Sequence, residues 1–229
     1  MRLAFQLLLG MALLPAAFVQ TARAEGAAAP LFVATYFEVG ASSAKDGAAL
    51  LTQYRDAARK EAGNMRADVA SEIGRPNRFV VLEVWKDQAA FEAHGKSAST
   101  SAFRDKLKTI HGAPHDERVH NTLNVGPNDA AGSKGAIIVV SHVDVPPPRK
   151  DECIAALNPL ADGSRKGGGS QRFEVVQQTS RPNHFTVVEA WKDKKAYDAS
   201  RSADAQRAFR DKLGPMLGAL YDERLYQTL

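Results

Sequence analysis

An α+β fold written twice is predicted, as two tandem ferredoxin-like domains of the dimeric α+β barrel kind forming an intramolecular pseudo-dimer. Three observations predict it. Arg75-Pro76-Asn77 through Leu123 recurs as Arg181-Pro182-Asn183 through Leu229 at a constant offset of 106 without a gap, with roughly half of the positions identical. Within each copy, period and punctuation give the order strand, helix, strand, strand, helix, strand, the split βαβ arrangement. In the third strand the run Phe79-Val80-Val81-Leu82 is apolar on both parities, so both faces of the sheet read as buried. Helices can cover only one face of such a sheet, and a second copy in the same chain is the natural cover for the other.

The N-terminus precedes this pattern. Met1-Arg2, an apolar run from Leu3 to Val19 and Thr21-Ala22-Arg23-Ala24 before Glu25 read as a signal peptide over residues 1–24. The run is shorter than the roughly 20 residues a spanning helix needs, and Gly10 and Pro15 interrupt it. A periplasmic or secreted chain with no membrane span after cleavage is expected. The formal charge of +4 falls to about +2 on cleavage and is mixed along the chain, which gives no sign of a nucleic-acid partner. Cys153 is the single cysteine, so no internal disulfide framework exists and packing must supply stability.

The first unit is expected over residues 31–123, the second over 137–229, with a Gly-, Asn- and Asp-rich linker over 124–136. Phe32 to Val39 and Ile137 to Val145 are β-branched and aromatic, hence first strands. Leu50, Leu51, Tyr54 and Ala57, and Cys153, Ala156, Leu157 and Leu160, recur at helical spacing; Gly63 and Gly167-Gly168-Gly169 are the expected stops. Second strands run from Arg66 to Ile73 and Arg172 to Thr179, and Arg-Pro-Asn turns each into a third, Phe79 to Trp85 and Phe185 to Trp191. Asp87 and Asp193 cap a helical region in which Phe103, Leu107 and Ile110, and Phe209, Leu213, Met216, Leu217 and Leu220, line one face. Asp116 to Leu123 and Asp222 to Leu229 are the last strands.

The block Arg78-Phe79-Val80-Val81-Leu82-Glu83-Val84-Trp85-Lys86-Asp87, followed by Ala90-Phe91-Glu92-Ala93-His94 and Ala102-Phe103, resembles the antibiotic biosynthesis monooxygenase family. The second unit resembles it at Phe185 to Asp193, Ala196-Tyr197 and Ala208-Phe209. The resemblance implies a pocket between helices and sheet in each half. It implies cofactor-free oxidation of a quinol or phenol by O₂ or, in another branch, haem binding and degradation. His94 becomes Ser200 in the second unit, so the two pockets differ chemically. The haem branch uses an Asn on its first strand, where this chain has Thr35, Tyr36, Ser141 and His142.

Strand parity puts Glu83 and Trp85, and Glu189 and Trp191, on one face of the third strands. Each Trp either stacks on a planar ligand or belongs to the core. His94 is the leading candidate base, set against an exposed or capping histidine, because drawing off a phenolic proton suits a neutral imidazole. Glu83 and Glu189 either relay protons at a raised pKa in an apolar pocket or pair with a basic residue on a neighbouring strand. The catalytic candidates are therefore His94, Trp85 and Glu83. The substrate-binding candidates are Trp85, Phe91, Phe103, Trp191, Tyr197, Phe209 and Glu189.

No cofactor is expected for a quinol-like substrate; under the haem alternative His94 or His142 is the iron ligand. A non-catalytic binding module is the third reading. His111, His115 and His120 are not read as a metal site, because Gly112 and Pro114 break any helical register and Leu217, Tyr221 and Tyr226 replace all three. A small aromatic molecule is the expected partner, and further homo-oligomerisation is open.

Overall fold

The computed structural model describes residues 29–126, 135–166 and 170–229. The signal-peptide segment, most of the linker and Gly167-Gly168-Gly169 lie outside the described residues. The first unit consists of β1 (Leu31–Val39), α1 (Ala44–Ala58), β2 (Asn64–Glu72), β3 (Arg75–Trp85), α2 (Gln88–Gly95), α3 (Ala98–Lys108) and β4 (His111–Asn124). The second repeats it as β5 (Ile137–Asp144), α4 (Lys150–Lys166), β6 (Ser170–Gln178), β7 (His184–Trp191), α5 (Lys194–Arg201), α6 (Asp204–Leu213) and β8 (Asp222–Thr228). The eight strands close into one antiparallel barrel in the order β1-β3-β2-β8-β5-β7-β6-β4. No described helix is long and apolar enough to cross a membrane.

Both units contribute to the closure through equivalent seams. His120 of β4 pairs with Gln178 of β6, and Glu72 of β2 pairs with Tyr226 of β8, so the same positions meet at the two seams. Closure leaves no free sheet edge between the units. The two parities of β3 go to different cores. Phe79 and Val81 pack under α1 and α3 with Phe37, Leu50, Leu51 and Phe103. Val80 and Leu82 face into the barrel against Ile138, Val140, Val188 and Tyr226 of the other unit.

The barrel interior also holds charge. Arg66 of β2 donates to both carboxylate oxygens of Glu174 of β6 at 2.8 Å, and Arg172 of β6 donates to Asp68 of β2 at 2.7 Å. All four side chains are buried. The pairs cross between units, and each Arg also lies near the acid of its own strand. A buried pair of this kind barely repays its desolvation, but losing one partner strands a charge in the core.

Helix α1 is set by its apolar spacing: Gly47, Leu50, Leu51 and Ala58 are its buried residues, one stripe on the sheet side. Burial of a leucine such as Leu51 contributes about 1.5–3 kcal/mol. In α4 Cys153 sits in the core, where burial pushes its thiol up to about 12, so it behaves as a small apolar residue.

Three local expectations are corrected. Arg75-Pro76-Asn77 does not form the first hairpin turn: Gly74, at φ 85, makes it, and β3 already begins at Arg75. The second unit has Ser180 there, and its Arg181 to Asn183 do lie in the turn, before β7. In both units the Asn side chain donates to the end of the first strand, Asn77 to the Val39 carbonyl and Asn183 to that of Val145. Gly63 does not end α1, which stops at Ala58; at φ 90 it turns the chain into β2, where a Cβ would stand 2.7 Å from that of Ala90. The helical region after Asp87 is two helices, because Ser97 caps a new one by accepting from the Thr100 N–H.

Candidate active site

Three elements of the first unit converge on His94. The Asp87 carboxylate accepts from the Ala90 N–H at 2.7 Å, which starts α2 and carries His94 under the sheet at its last turn. Strand β3 delivers Glu83 and Trp85 on one face, and α1 presents Tyr54 from above. The three catalytic candidates do come together: the His94 ring stacks on Trp85 at 4.6 Å between centroids and 30° between planes, and its Nε2 lies 3.8 Å from Glu83 Oε1.

Both nitrogens of His94 are engaged. Its Nδ1 is 2.9 Å from Glu61 Oε2, and its Nε2 is 2.6 Å from the Tyr54 hydroxyl. The Glu61 carboxylate accepts, so Nδ1 carries a proton, and in the tautomer this selects Nε2 is the bare nitrogen that faces Tyr54. Glu61, His94 and Tyr54 thus form a carboxylate, imidazole, hydroxyl series with the logic of a catalytic triad. The Tyr54 hydroxyl also lies 3.3 Å from Glu83 Oε2. It has a single proton, so donation to one neighbour leaves it accepting from the other.

The electrostatics favour holding protons here. Burial raises Glu83 to about 8, with the charges of Glu117 and Glu61 adding and the Tyr54 hydrogen bond opposing. Glu83 is therefore mostly protonated at neutral pH. Burial, then the Glu83 charge, also raises Tyr54 well above the usual phenol range. The basic partner considered for Glu83 is not among its bonds: its neighbours are Tyr54 and His94.

The aromatic candidates fall into two groups. Phe91 packs on the Trp85 ring at 6.5 Å, whereas Phe103 packs on Tyr54 at 4.3 Å and on Phe37 at 5.7 Å. Beyond Phe37 lies a mainly apolar cavity of about 280 Å³ between α3 and β4, lined also by Leu107, Ala113, Pro114 and His115. Phe103 and Tyr54 thus stand between that space and His94. Trp85 itself is fully buried, with one face under the imidazole.

In the second unit the equivalents diverge. Leu160, Gly167, Ser200 and Gln206 replace Tyr54, Glu61, His94 and Thr100, and no triad can form. Glu189 accepts from the Trp191 indole N–H at 2.8 Å, and burial pushes its carboxyl up to about 7. Tyr197 is buried beside Trp191 and donates to Glu223 at 2.5 Å. Phe209 belongs to the core under α4.

Reading the chain alone missed Tyr54, taken only as an apolar helix position, and missed altogether Glu61 and Thr100, whose hydroxyl lies 3.4 Å from the ring nitrogens of His94. A signal existed. All three vanish together with His94 at the offset of 106, which is what a shared network does when its centre is lost.

Both histidines considered as iron ligands under the haem alternative are hydrogen-bonded at each ring nitrogen. His94 bonds Glu61 and Tyr54; His142 bonds Tyr36 at 2.8 Å and Asp222 at 3.1 Å. Neither presents a nitrogen without a partner to an iron. Among the described residues no group of three His, Cys, Asp or Glu could hold a metal ion; His111 and His115 are exposed, and His120 faces the barrel, 2.9 Å from the Thr186 hydroxyl.

The model of the family described as antibiotic biosynthesis monooxygenase matches residues 30–106 and 136–212, once in each unit. A Bacillus subtilis protein named Putative monooxygenase YcnE is 41% identical over 58 residues, a stretch spanning 25% of this chain and 61% of that protein. The solved structure of a protein named putative monooxygenase from Fusobacterium nucleatum superposes with a TM-score of 0.77 at 18% identity, covering 88% of this chain and 93% of that one. Another of that name from Lactobacillus acidophilus gives 0.73 at 11% identity, with 87% and 94% covered. At these identities the two structures speak to the fold, including the joining of both units in one barrel.

Proposed function

We propose, on the premise that this chain belongs to the antibiotic biosynthesis monooxygenase family, that its first unit oxidises a small quinol-like aromatic with O₂, using Glu61, His94 and Tyr54 as the proton acceptor. The observation that carries this reading is the 2.6 Å contact between Tyr54 and His94 Nε2, with Glu61 holding the other nitrogen. A phenol is a poor reductant of O₂ and its anion a good one, so the protein's task is to take one proton in a water-poor site. As the Tyr54 oxygen receives the substrate proton, its own passes to Nε2, and the Glu61 carboxylate stabilises the imidazolium. Glu83 lies 3.3 Å from the same hydroxyl and, being mostly protonated, can return a proton to the departing peroxide oxygen.

The overall change balances without another reductant. A quinol plus O₂ gives a hydroxyquinone plus water: one oxygen atom enters the ring, the other leaves as water, and the substrate supplies all four electrons. A substrate held in the cavity beyond Phe37 is parted from this relay by Phe103, which packs on both Phe37 and Tyr54, so the reading requires that ring to move. The second unit keeps Trp and Glu but not the acceptor. An exported, periplasmic or secreted site of action belongs to the same proposal, and N-terminal sequencing of the mature protein checks it.

The test is O₂ uptake with 1,4-dihydroxynaphthalene and ¹⁸O₂. Expected are uptake above the autoxidation rate, one labelled atom in the product, and loss of both in His94→Ala. Uptake equal in wild type and His94→Ala would overturn the assignment.

A further inference from the structure

We propose that Ser99, with Ser97 behind it, is a positioning residue of the first unit: the two hydroxyls hold the Glu61 carboxylate against His94 and so fix which nitrogen of that ring carries its proton. The inference rests on the proton relay proposed above and names what sets its direction.

Glu61 is not held by its own element. It lies in the turn between the end of α1 at Ala58 and the start of β2 at Asn64, and its side chain is 22% exposed. Its two carboxylate oxygens have separate partners. Oε2 is 2.9 Å from His94 Nδ1, whereas Oε1 accepts from Ser99 Oγ at 3.0 Å and lies 3.2 Å from Ser97 Oγ. Ser97 has one proton for Glu61, Ser99 and Thr100, so Ser99, at the shorter distance, is the main donor. Without these hydroxyls the carboxylate would keep a single contact, to the imidazole, on a long side chain beside water.

Ser97 also has a duller task, because its oxygen accepts from the Thr100 N–H at 3.2 Å and caps α3. The second unit shows that the helix does not require it. There Ala203 precedes α6 without a side-chain cap, and the helix forms. Ala205 stands for Ser99 and Gly167 for Glu61, so the hydroxyls are missing from the unit that lacks the carboxylate and the imidazole. Ser99 is the second residue of α3, where alanine is the better helix former, and helix formation gives no reason for its hydroxyl.

The consequence is chemical. An imidazole in water favours the proton on Nε2, so the form with the proton on Nδ1 needs an acceptor kept at that nitrogen. The Thr100 hydroxyl, 3.4 Å from both ring nitrogens, is too far to serve as one. With Glu61 in place Nε2 is bare and receives the Tyr54 proton as Tyr54 takes that of the substrate. With Glu61 turned to water the ring proton moves to Nε2, that nitrogen donates to the Tyr54 hydroxyl, and the relay has no acceptor.

The test is a two-bond ¹H,¹⁵N correlation spectrum of the full chain labelled with ¹⁵N-histidine, which shows which ring nitrogen is protonated; His94→Gln assigns the signal. Expected is the Nδ1–H form in the wild type and a shift of about half of the population or more to the Nε2–H form in Ser99→Ala and in Ser97→Asp. Ser99 is exposed, so its alanine variant leaves packing untouched. Ser97→Asp retains a cap for α3 but has no proton to donate and sets a second carboxylate against Glu61. Ser99→Thr keeps a hydroxyl and should restore the wild-type pattern. In parallel, kcat for O₂ uptake with 1,4-dihydroxynaphthalene should fall about tenfold or more in Ser99→Ala with little change in KM, since neither serine lines the cavity beyond Phe37. A wild-type tautomer in both variants, an Nε2–H form in the wild type itself, or turnover unchanged by Ser99→Ala overturns the proposal. The two assignments separate. Tautomers that move as expected in a chain without uptake above autoxidation sink the oxidation reading and leave Ser99 holding Glu61 to His94; uptake with an unmoved tautomer does the reverse.

Discussion

The hydroxyl of Tyr36 lies 2.8 Å from Nε2 of His142, the residue that occupies its own position in the second unit, 106 residues along. The repeat therefore meets itself at the centre of the molecule, with unlike residues on its two sides. His142 Nδ1 is held by Asp222, and Arg118 and Arg224 lie over the Tyr36 ring at 5.2 and 5.7 Å. Tyr36→Phe keeps the ring under both guanidinium groups but leaves a buried imidazole nitrogen unpaired. We expect a loss of about 1–2 kcal/mol by urea unfolding. In the cycle with His142→Phe, the two changes together should cost less than their sum.

The crossed pairs inside the barrel predict a sharper effect. Glu174→Gln leaves Arg66 facing a neutral amide in the core, which should cost about 3–5 kcal/mol. Arg66→Met with Glu174→Met removes both charges and should restore most of that stability. If the double variant is as unstable as Glu174→Gln alone, the cost lies in packing and not in the stranded charge. The contacts join the units, so the unfolding of both should stay a single transition in every variant that folds.

How much of this was legible depended on whether a partner lay within one unit. Phe79 to Leu82, apolar on both parities, announced two buried faces, and the offset supplied the second cover. The Asp87 and Asp193 caps are local and were read correctly. Arg66 and Asp68 could not be read as interior residues, because charges in a strand ordinarily mark its wet face and their partners lie more than 100 residues away. The seams between β2 and β8 and between β4 and β6 follow from closure and not from any pattern within those strands. Tyr54 escaped notice for a related reason: at helical spacing its ring reads as core, and only the fold shows its hydroxyl turned to His94.

Glu83 ties stability to pH. Its carboxyl is raised from 4.5 to about 8, first by burial, so over that range the folded state holds a proton that the unfolded state has released. The stability that comes from keeping it neutral is fully present below about 4.5 and is lost as pH rises through about 8. Glu83→Gln should flatten this decline between about pH 4.5 and 8, which is on the order of a few kcal/mol. His120 acts oppositely: burial pushes it down to about 4, so its contribution is present above 6.5 and is lost as pH falls through about 4. Melting temperatures from pH 4 to 9 for wild type, Glu83→Gln and His120→Gln separate the two limbs. An unchanged decline between about pH 6.5 and 8 in Glu83→Gln, above the range where His120 titrates, removes that carboxyl as its source.

The last prediction converts the first unit into a likeness of the second. His94→Ser takes away the ring that stacks on Trp85 at 4.6 Å and parts Glu61 from Tyr54. The second unit has Ser200 at this place with a cavity of about 230 Å³ beside its tryptophan, so the same substitution should open a void beside Trp85 at a cost of about 2 kcal/mol. Two readouts should then move in opposite directions. O₂ uptake with 1,4-dihydroxynaphthalene should fall at least a hundredfold, since the acceptor of the phenolic proton is gone. The Trp85 indole N–H signal in a ¹H,¹⁵N correlation spectrum should become sensitive to 1-naphthol, because the face that the imidazole covered is now free. Tyr54→Phe separates the two effects: it breaks the relay while leaving the imidazole stacked, and should lose turnover without gaining the new response. Uptake unaffected by both substitutions would show that Tyr54 and His94 are joined for structure alone.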